Sequence, residues 1–139
     1  MAINLSAMQI RQPDLVGTVR NVLAETGLPA ECLELETAEG VMVEDPGAVV
    51  EKLHEFCGRG IAIALDDFGT GYSSLSNIKR FPFDCMKIDH SFVRGIPGDV
   101  NDVDIACAII ALARNLGLKT VVEGIETEEQ LAFCQGRGL

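Results

Sequence analysis

Five short apolar runs in this chain each close on a side chain that binds metals or carries charge, and segments long enough for a crossover helix separate them. The clearest reads Ile61-Ala-Ile-Ala-Leu-Asp-Asp-Phe-Gly-Thr-Gly71, a hydrophobic strand stopping at two adjacent carboxylates before a glycine-punctuated turn. The others are Ile3-Asn4-Leu5-Ser6, Cys32-Leu-Glu-Leu-Glu36, Cys85-Met-Lys-Ile-Asp89 and Thr120-Val-Val-Glu-Gly124. Strand, helix, strand, repeated along the chain, predicts parallel βα units joined by right-handed crossovers. Polar groups at the same end of successive parallel strands then converge in space, which is how such sheets build active sites.

The intervening segments carry helix signals. An amphipathic stretch runs from Leu15 through Leu23 and is broken by Gly27-Leu28-Pro29. Pro46 opens a second helix through Val49, Val50, Leu53 and Phe56, closed by Gly58 and Gly60. Ser73 to Arg80 reads as a short helix stopped by Pro82, and Asp104 to Leu116 as a longer one with Gly117 as its stop. Thr127-Glu-Glu-Gln130 is a capping box that starts the last helix. A closed eight-stranded α/β barrel needs ~250 residues, and only five strands are visible in these 139. The expected fold class is therefore α/β, a partial (β/α)8 barrel of about five parallel βα units, with unpaired strand edges on either side. Met1-Ala2 leads almost directly into a strand, which reads as an engineered or truncated start.

A net charge of −10 argues against a general DNA or RNA binder, which would carry a basic face. It is compatible with a phosphate substrate if bound divalent cations reverse the field inside an acidic pocket. No apolar run approaches a membrane span and no signal peptide is visible, so a cytoplasmic domain without membrane insertion is expected. Five widely spaced cysteines, with no C-x-x-C, point to reduced thiols. Cys32 and Cys85 are expected to be small core residues, and His54 and His90 lone surface histidines.

The candidate constellation is Asn4, Glu36, Asp66, Asp67, Lys87 and Glu123, each expected to terminate its strand. Four converging carboxylates without a partner would repel one another at high cost. Oxygen donors from carboxylates and one amide favour Mg²⁺, Mn²⁺ or Ca²⁺ over zinc. Adjacent aspartates suit a two-metal site in which one carboxylate bridges both ions, an arrangement that activates water and stabilises the leaving oxygen of a phosphodiester. An ammonium at Lys87 is placed to hold the attacking water or neutralise a phosphate oxygen.

Asn4-Leu-Ser, Leu35-Glu-Thr-Ala-Glu39, Asp66-Asp-Phe-Gly-Thr-Gly-Tyr-Ser-Ser-Leu75, Lys87-Ile-Asp-His-Ser-Phe92 and Glu123-Gly-Ile-Glu-Thr127 together resemble the EAL-domain family. These are bacterial phosphodiesterases of second-messenger signalling that hydrolyse cyclic di-GMP to linear pGpG with Mg²⁺ or Mn²⁺. The resemblance spans essentially the whole chain and implies that residues 1–139 are the central and C-terminal portion of such a domain, truncated at both ends. It implies Asn4, Glu36 and Asp66 as ligands of one metal, with Asp66 bridging to a second held by Asp67 and Glu123. Lys87 matches the lysine that positions the hydrolytic water. Glu39 matches a glutamate that braces the loop Phe68 to Ser73, including Gly69, Thr70 and Gly71, which couples dimer contacts to metal and substrate. Inhibition by Ca²⁺, a homodimer, and fusion to sensor or GGDEF-type domains in the parent protein are further implications.

Departures exist. The Glu-Ala-Leu tripeptide, the arginine after it and the final glutamine motif lie outside the chain. Thr37-Ala38 replaces the usual Ile-Thr, Gly40 follows Glu39 in place of Ser, and His90 stands where arginine is common. Two other readings use the same residues: a catalytically inactive cyclic di-GMP-binding or dimerisation module, and a barrel enzyme of unrelated chemistry such as enolate formation. The latter leaves the segment after Asp67 without a role.

Overall fold

The computed structural model describes residues 1–42, 46–69 and 78–137. Five strands, β1 (Ala2–Leu5), β2 (Glu34–Ala38), β3 (Ala62–Phe68), β4 (Cys85–Ile88) and β5 (Lys119–Val122), form one sheet in the order β1-β2-β3-β4-β5. Every pairing is parallel. Each strand thus lies beside its neighbour in sequence. That is the order of a barrel wall, whereas a doubly wound sheet reverses direction part-way across. Among the described residues, β1 and β5 are the outer strands.

The helices are α1 (Ala7–Ile10), α2 (Leu15–Thr26), α3 (Pro46–Gly58), α4 (Val100–Asn115) and α5 (Glu128–Gln135). α2 ends where Gly27 takes a left-handed φ of 69° and its N–H bonds to the Leu23 carbonyl. Pro46 begins α3 as a first-turn proline should. The box at Thr127 forms: its hydroxyl accepts from Gln130 N, and Gln130 Oε1 accepts from Thr127 N at 3.1 Å. The helices cover one face of the sheet. Leu35, Ile63, Leu65, Met86 and Ile88 pack there against Val49, Leu53, Phe56, Ile109, Ile110 and Ala113, all buried.

Several expectations need correcting. Cys32 is exposed and closes a 3-10 turn, Ala30–Cys32, so β2 starts only at Glu34. Pro29 causes this: its carbonyl accepts from Cys32 N at 2.9 Å and winds the chain before it can extend. α4 begins at Val100, not Asp104, because Asp99 caps it, accepting from Asn101 N and Asp102 N. Apolar spacing alone does not reveal that cap, and Ile105 in the second turn of α4 is 42% exposed. β3 runs through both aspartates to Phe68 instead of stopping at them, and β2 and β4 likewise continue past Glu36 to Ala38 and past Lys87 to Ile88. The short helix α1 was not expected, although Ser6-Ala-Met-Gln9 is a capping box and forms as one. The expected Ser73–Arg80 helix lies mostly outside the described residues. Cys85 is buried and His54 and His90 are exposed, as expected. Among the described residues no helix is long and apolar enough to cross a membrane.

One core residue carries an unmet demand. Thr37 is 1% exposed on the helix-covered face, and its Oγ1 has no hydrogen-bond partner among the described residues. A buried hydroxyl left unpaired costs about 1–3 kcal/mol. Thr37→Val keeps the branched shape and removes the orphan, so it should raise the unfolding free energy by about 1 kcal/mol. Urea denaturation of the two chains checks this; a destabilised valine variant would show that the hydroxyl has a partner after all.

Candidate active site

Strand parity places the candidate residues. Asn4 is registered opposite Glu36, and Glu36 opposite Ala64. Asp66 lies two residues beyond Ala64 and so shares its face. Ala64 is opposite Cys85, two residues before Lys87, and Lys87 is opposite Val121, two before Glu123. Asn4, Glu36, Asp66, Lys87 and Glu123 are therefore placed on one side of the sheet, away from the helices, toward the strands' C-terminal ends.

Three of the carboxylates meet at the Lys87 ammonium. Its Nζ donates to Glu36 Oε1 at 2.8 Å, pairs with Glu123 Oε1 at 2.5 Å, and lies 3.7 Å from Asp66 Oδ1. Side-chain exposure rises from 7% at Glu36 and 12% at Lys87 through 17% at Asp66 to 44% at Glu123. Access from solvent is thus on the Glu123 side, with Glu36 at the floor. Burial works against the Lys87 ammonium, but the hydrogen bonds to Glu123 and Glu36 and the charge of Asp66 outweigh it and hold the lysine protonated. Asp66 is pushed toward its neutral form instead. Desolvation lifts its pKa, and the charges of Asp67 and Glu123 add to the lift, against lowering by Lys87 and by the Asp67 N–H that Asp66 Oδ1 accepts at 3.0 Å. Three carboxylates sharing one ammonium leave a negative excess at this end of the sheet.

Asp67 is placed by a backbone irregularity. Strict alternation would send it to the helix-covered face, but the β3–β4 register shifts between Leu65 and Phe68, and Asp67 has a left-handed φ of 51°. The residue is exposed. Such bulges re-aim side chains beside functional sites, and a non-glycine left-handed residue is a strain that the surroundings must hold. No apolar pattern in the sequence signals this bulge; only the adjacency of two acids hints at it.

Asn4 is exposed on outer strand β1, in register with Glu36. Glu39 is buried and opens a 3-10 turn, Glu39–Met42, that contacts β3. Phe68 is buried at the end of β3 and Gly69 follows with a left-handed φ of 97°. Thr70 and Gly71 lie outside the described residues. Asp89, which ends the fourth apolar run but is not in the candidate constellation, accepts from Ser91 N through Oδ1 at 3.0 Å and meets His90 Nδ1 through Oδ2 at 3.0 Å. Hydrogen bonds from Ser91 hold this carboxyl below the usual range. Asp-His-Ser at a strand end is a readable turn-capping signal.

The donor set suits a hard divalent cation, since Asn4, Glu36, Asp66, Asp67 and Glu123 offer only oxygen. Among the described residues no three His, Cys, Asp or Glu side chains already enclose a common metal position. The carboxylates are instead spaced around the Lys87 ammonium, so a cation binding here has to share them with it.

Comparison with known proteins agrees with this architecture. The EAL domain family profile matches residues 1–139. The cyclic di-GMP phosphodiesterase NbdA of Pseudomonas aeruginosa is 43% identical over 97% of this chain and 17% of its own length. MucR of the same organism, a bifunctional diguanylate cyclase and cyclic di-GMP phosphodiesterase, is 44% identical over 99% of the chain and 20% of its own length. The EAL domain of Mycobacterium smegmatis DcpA superposes with a TM-score of 0.93 at 39% identity, covering 99% of this chain and 61% of that one. The chain spans a fifth or less of these two curated relatives. It belongs to the EAL-domain family.

Proposed function

We propose that this chain carries most of the active site of a divalent-metal-dependent phosphodiesterase that hydrolyses cyclic di-GMP to linear pGpG. The reading is supported above all by one observation: carboxylates from β2, β3 and the end of β5 converge on the Lys87 ammonium of β4 at one end of a parallel sheet. Names of relatives point the same way, because NbdA is a cyclic di-GMP phosphodiesterase and a solved MucR phosphodiesterase, 43% identical with a TM-score of 0.92, is a c-di-GMP complex.

In this proposal Asn4, Glu36 and Asp66 hold one Mg²⁺ or Mn²⁺, and Asp66, Asp67 and Glu123 a second. Such ions, when bound, supply charge neutralisation for the phosphodiester and acidify water. The chain's own groups do the rest. Lys87 keeps its proton and orients the attacking water or a phosphate oxygen through N–H donation. The exposed Glu123 side is the entry for the dinucleotide, and the buried Glu36 anchors the lysine from below. Glu39 braces the segment beginning at Phe68 and Gly69, through which a homodimer would communicate with the site.

The test is product analysis. The domain extended beyond both ends of this chain should convert cyclic di-GMP to pGpG with Mn²⁺ or Mg²⁺ and be inhibited by Ca²⁺, while the 139-residue chain alone turns over little or not at all. Binding without hydrolysis by the extended domain would overturn the enzymatic reading in favour of a nucleotide-binding module.

A further inference from the structure

We propose that the one-turn segment His90–Phe92 is a rigid spacer that sets where Glu123 and the Asp66-Asp67 pair stand relative to Lys87. This rests on the active-site reading above and adds positioning residues to it. The segment follows Lys87-Ile88-Asp89 directly, so it is fixed to the strand that carries the lysine. On one side it meets Gly124, the residue after Glu123. On the other it meets Gly69, two residues after Asp67.

The contact at Gly124 leaves no room for a side chain, and at Gly69 a side chain would have to push the end of the Phe92 ring aside. A Cβ at Gly124 would lie 2.5 Å from His90 Cβ and 3.4 Å from His90 Cα. A Cβ at Gly69 would lie 2.9 and 3.0 Å from Cζ and Cε2 of the Phe92 ring. Both glycines have left-handed φ, 70° and 97°. The obstructing atom at Gly124 belongs to the backbone-fixed end of His90, so a rotamer change cannot clear it.

The turn itself has little freedom to retreat. Asp89 caps it through Ser91 N, the Asp89 carbonyl accepts from Phe92 N at 3.1 Å, and the His90 carbonyl accepts from Val93 N at 3.0 Å. Val93 is 1% exposed, and its carbonyl accepts from Gln130 Nε2 at 3.2 Å, which ties the turn to α5. Phe92 packs against the core. A side chain added at Gly124 is therefore accommodated by displacing Glu123, half-exposed and on a short connection. The two glycines let the acidic segments close on the turn from both sides, and the thickness of the turn becomes the spacing of the site.

The experiment compares the wild-type chain with Gly124→Ala, Gly124→Asn and the double variant His90→Gly/Gly124→Ala. Asparagine tolerates left-handed backbone yet keeps a Cβ, which separates backbone strain from collision and supplies a second folded variant. The readouts are the Lys87–Glu123 ion pair in a solved structure and Mn²⁺ titration by calorimetry. Both single variants should lose the ion pair and need roughly 10-fold or more Mn²⁺ for half-saturation, the range seen when groups supporting metal ligands are disturbed. The double variant, with the colliding Cβ removed, should regain the pair and return to within about threefold of wild type. Single variants that keep the pair, or a double variant that fails to regain it, overturn the spacer. If the wild-type chain takes no Mn²⁺, the ion pair alone decides the spacer.

Discussion

Lys87→Ala in the extended domain is expected to lower cyclic di-GMP turnover by about 10²–10³-fold or more, the usual loss when a charged donor aimed at the reacting centre is removed. The cause is local. Lys87 is the one cation in contact with Glu36, Asp66 and Glu123 among the described residues, and alanine supplies neither a donor nor a counter-charge. The same substitution should destabilise the chain in chelator. Glu36 is nearly buried and accepts a hydrogen bond from Lys87, and breaking a buried pair from one side costs about 3–5 kcal/mol before relaxation. Adding Glu36→Gln should recover much of that stability, since the amide needs no counter-ion, yet recover no turnover. Chemical denaturation of the single and double variants, with product assays beside it, separates the two effects. Full turnover by Lys87→Ala would remove the lysine from the mechanism.

The convergence itself was legible in the sequence, because each apolar run ended on a polar group and parallel βα units place such ends together. What the pattern could not carry was which of the grouped residues touch. Glu36 and Lys87 are 51 positions apart, and their contact depends on the register of β2, β3 and β4. Nor was the strand length at Asp66-Asp67 readable, since a bulge breaks the two-residue period without any change in residue type. Turn chemistry was readable and was missed: Ser6-Ala-Met-Gln9 and Asp99 are caps stated in the residues themselves. Gly69 and Gly124 were noticed only as parts of motifs. Their use depends on a neighbour from another strand, and that information lies in the packing.

Asp66→Asn should abolish hydrolysis, by about 10²-fold or more if it removes a ligand shared by both proposed ions, and it should also stabilise the metal-free chain at neutral pH. The second effect follows from the raised pKa of Asp66, whose first cause is desolvation. A carboxyl with a folded-state pKa above its unfolded value holds its proton more tightly in the native state. Its favourable contribution is present at low pH and is lost as pH rises through the folded pKa. Above that window the ionised Asp66 is therefore a liability to folding, which asparagine lacks. The melting temperature of Asp66→Asn in chelator should exceed wild type at pH 7, and the gap should close as pH falls through the carboxylate range. Saturating Mn²⁺ should reverse the order, because a cation held by Asp66 stabilises only the native wild-type chain. Loss of melting temperature at pH 7 in chelator would mean that the 3.7 Å contact with Lys87 outweighs desolvation. An unchanged response to Mn²⁺ would show that Asp66 is not a ligand. Stability given up at one carboxylate for the sake of cation binding is the trade expected of a working site, and this variant measures both sides of it.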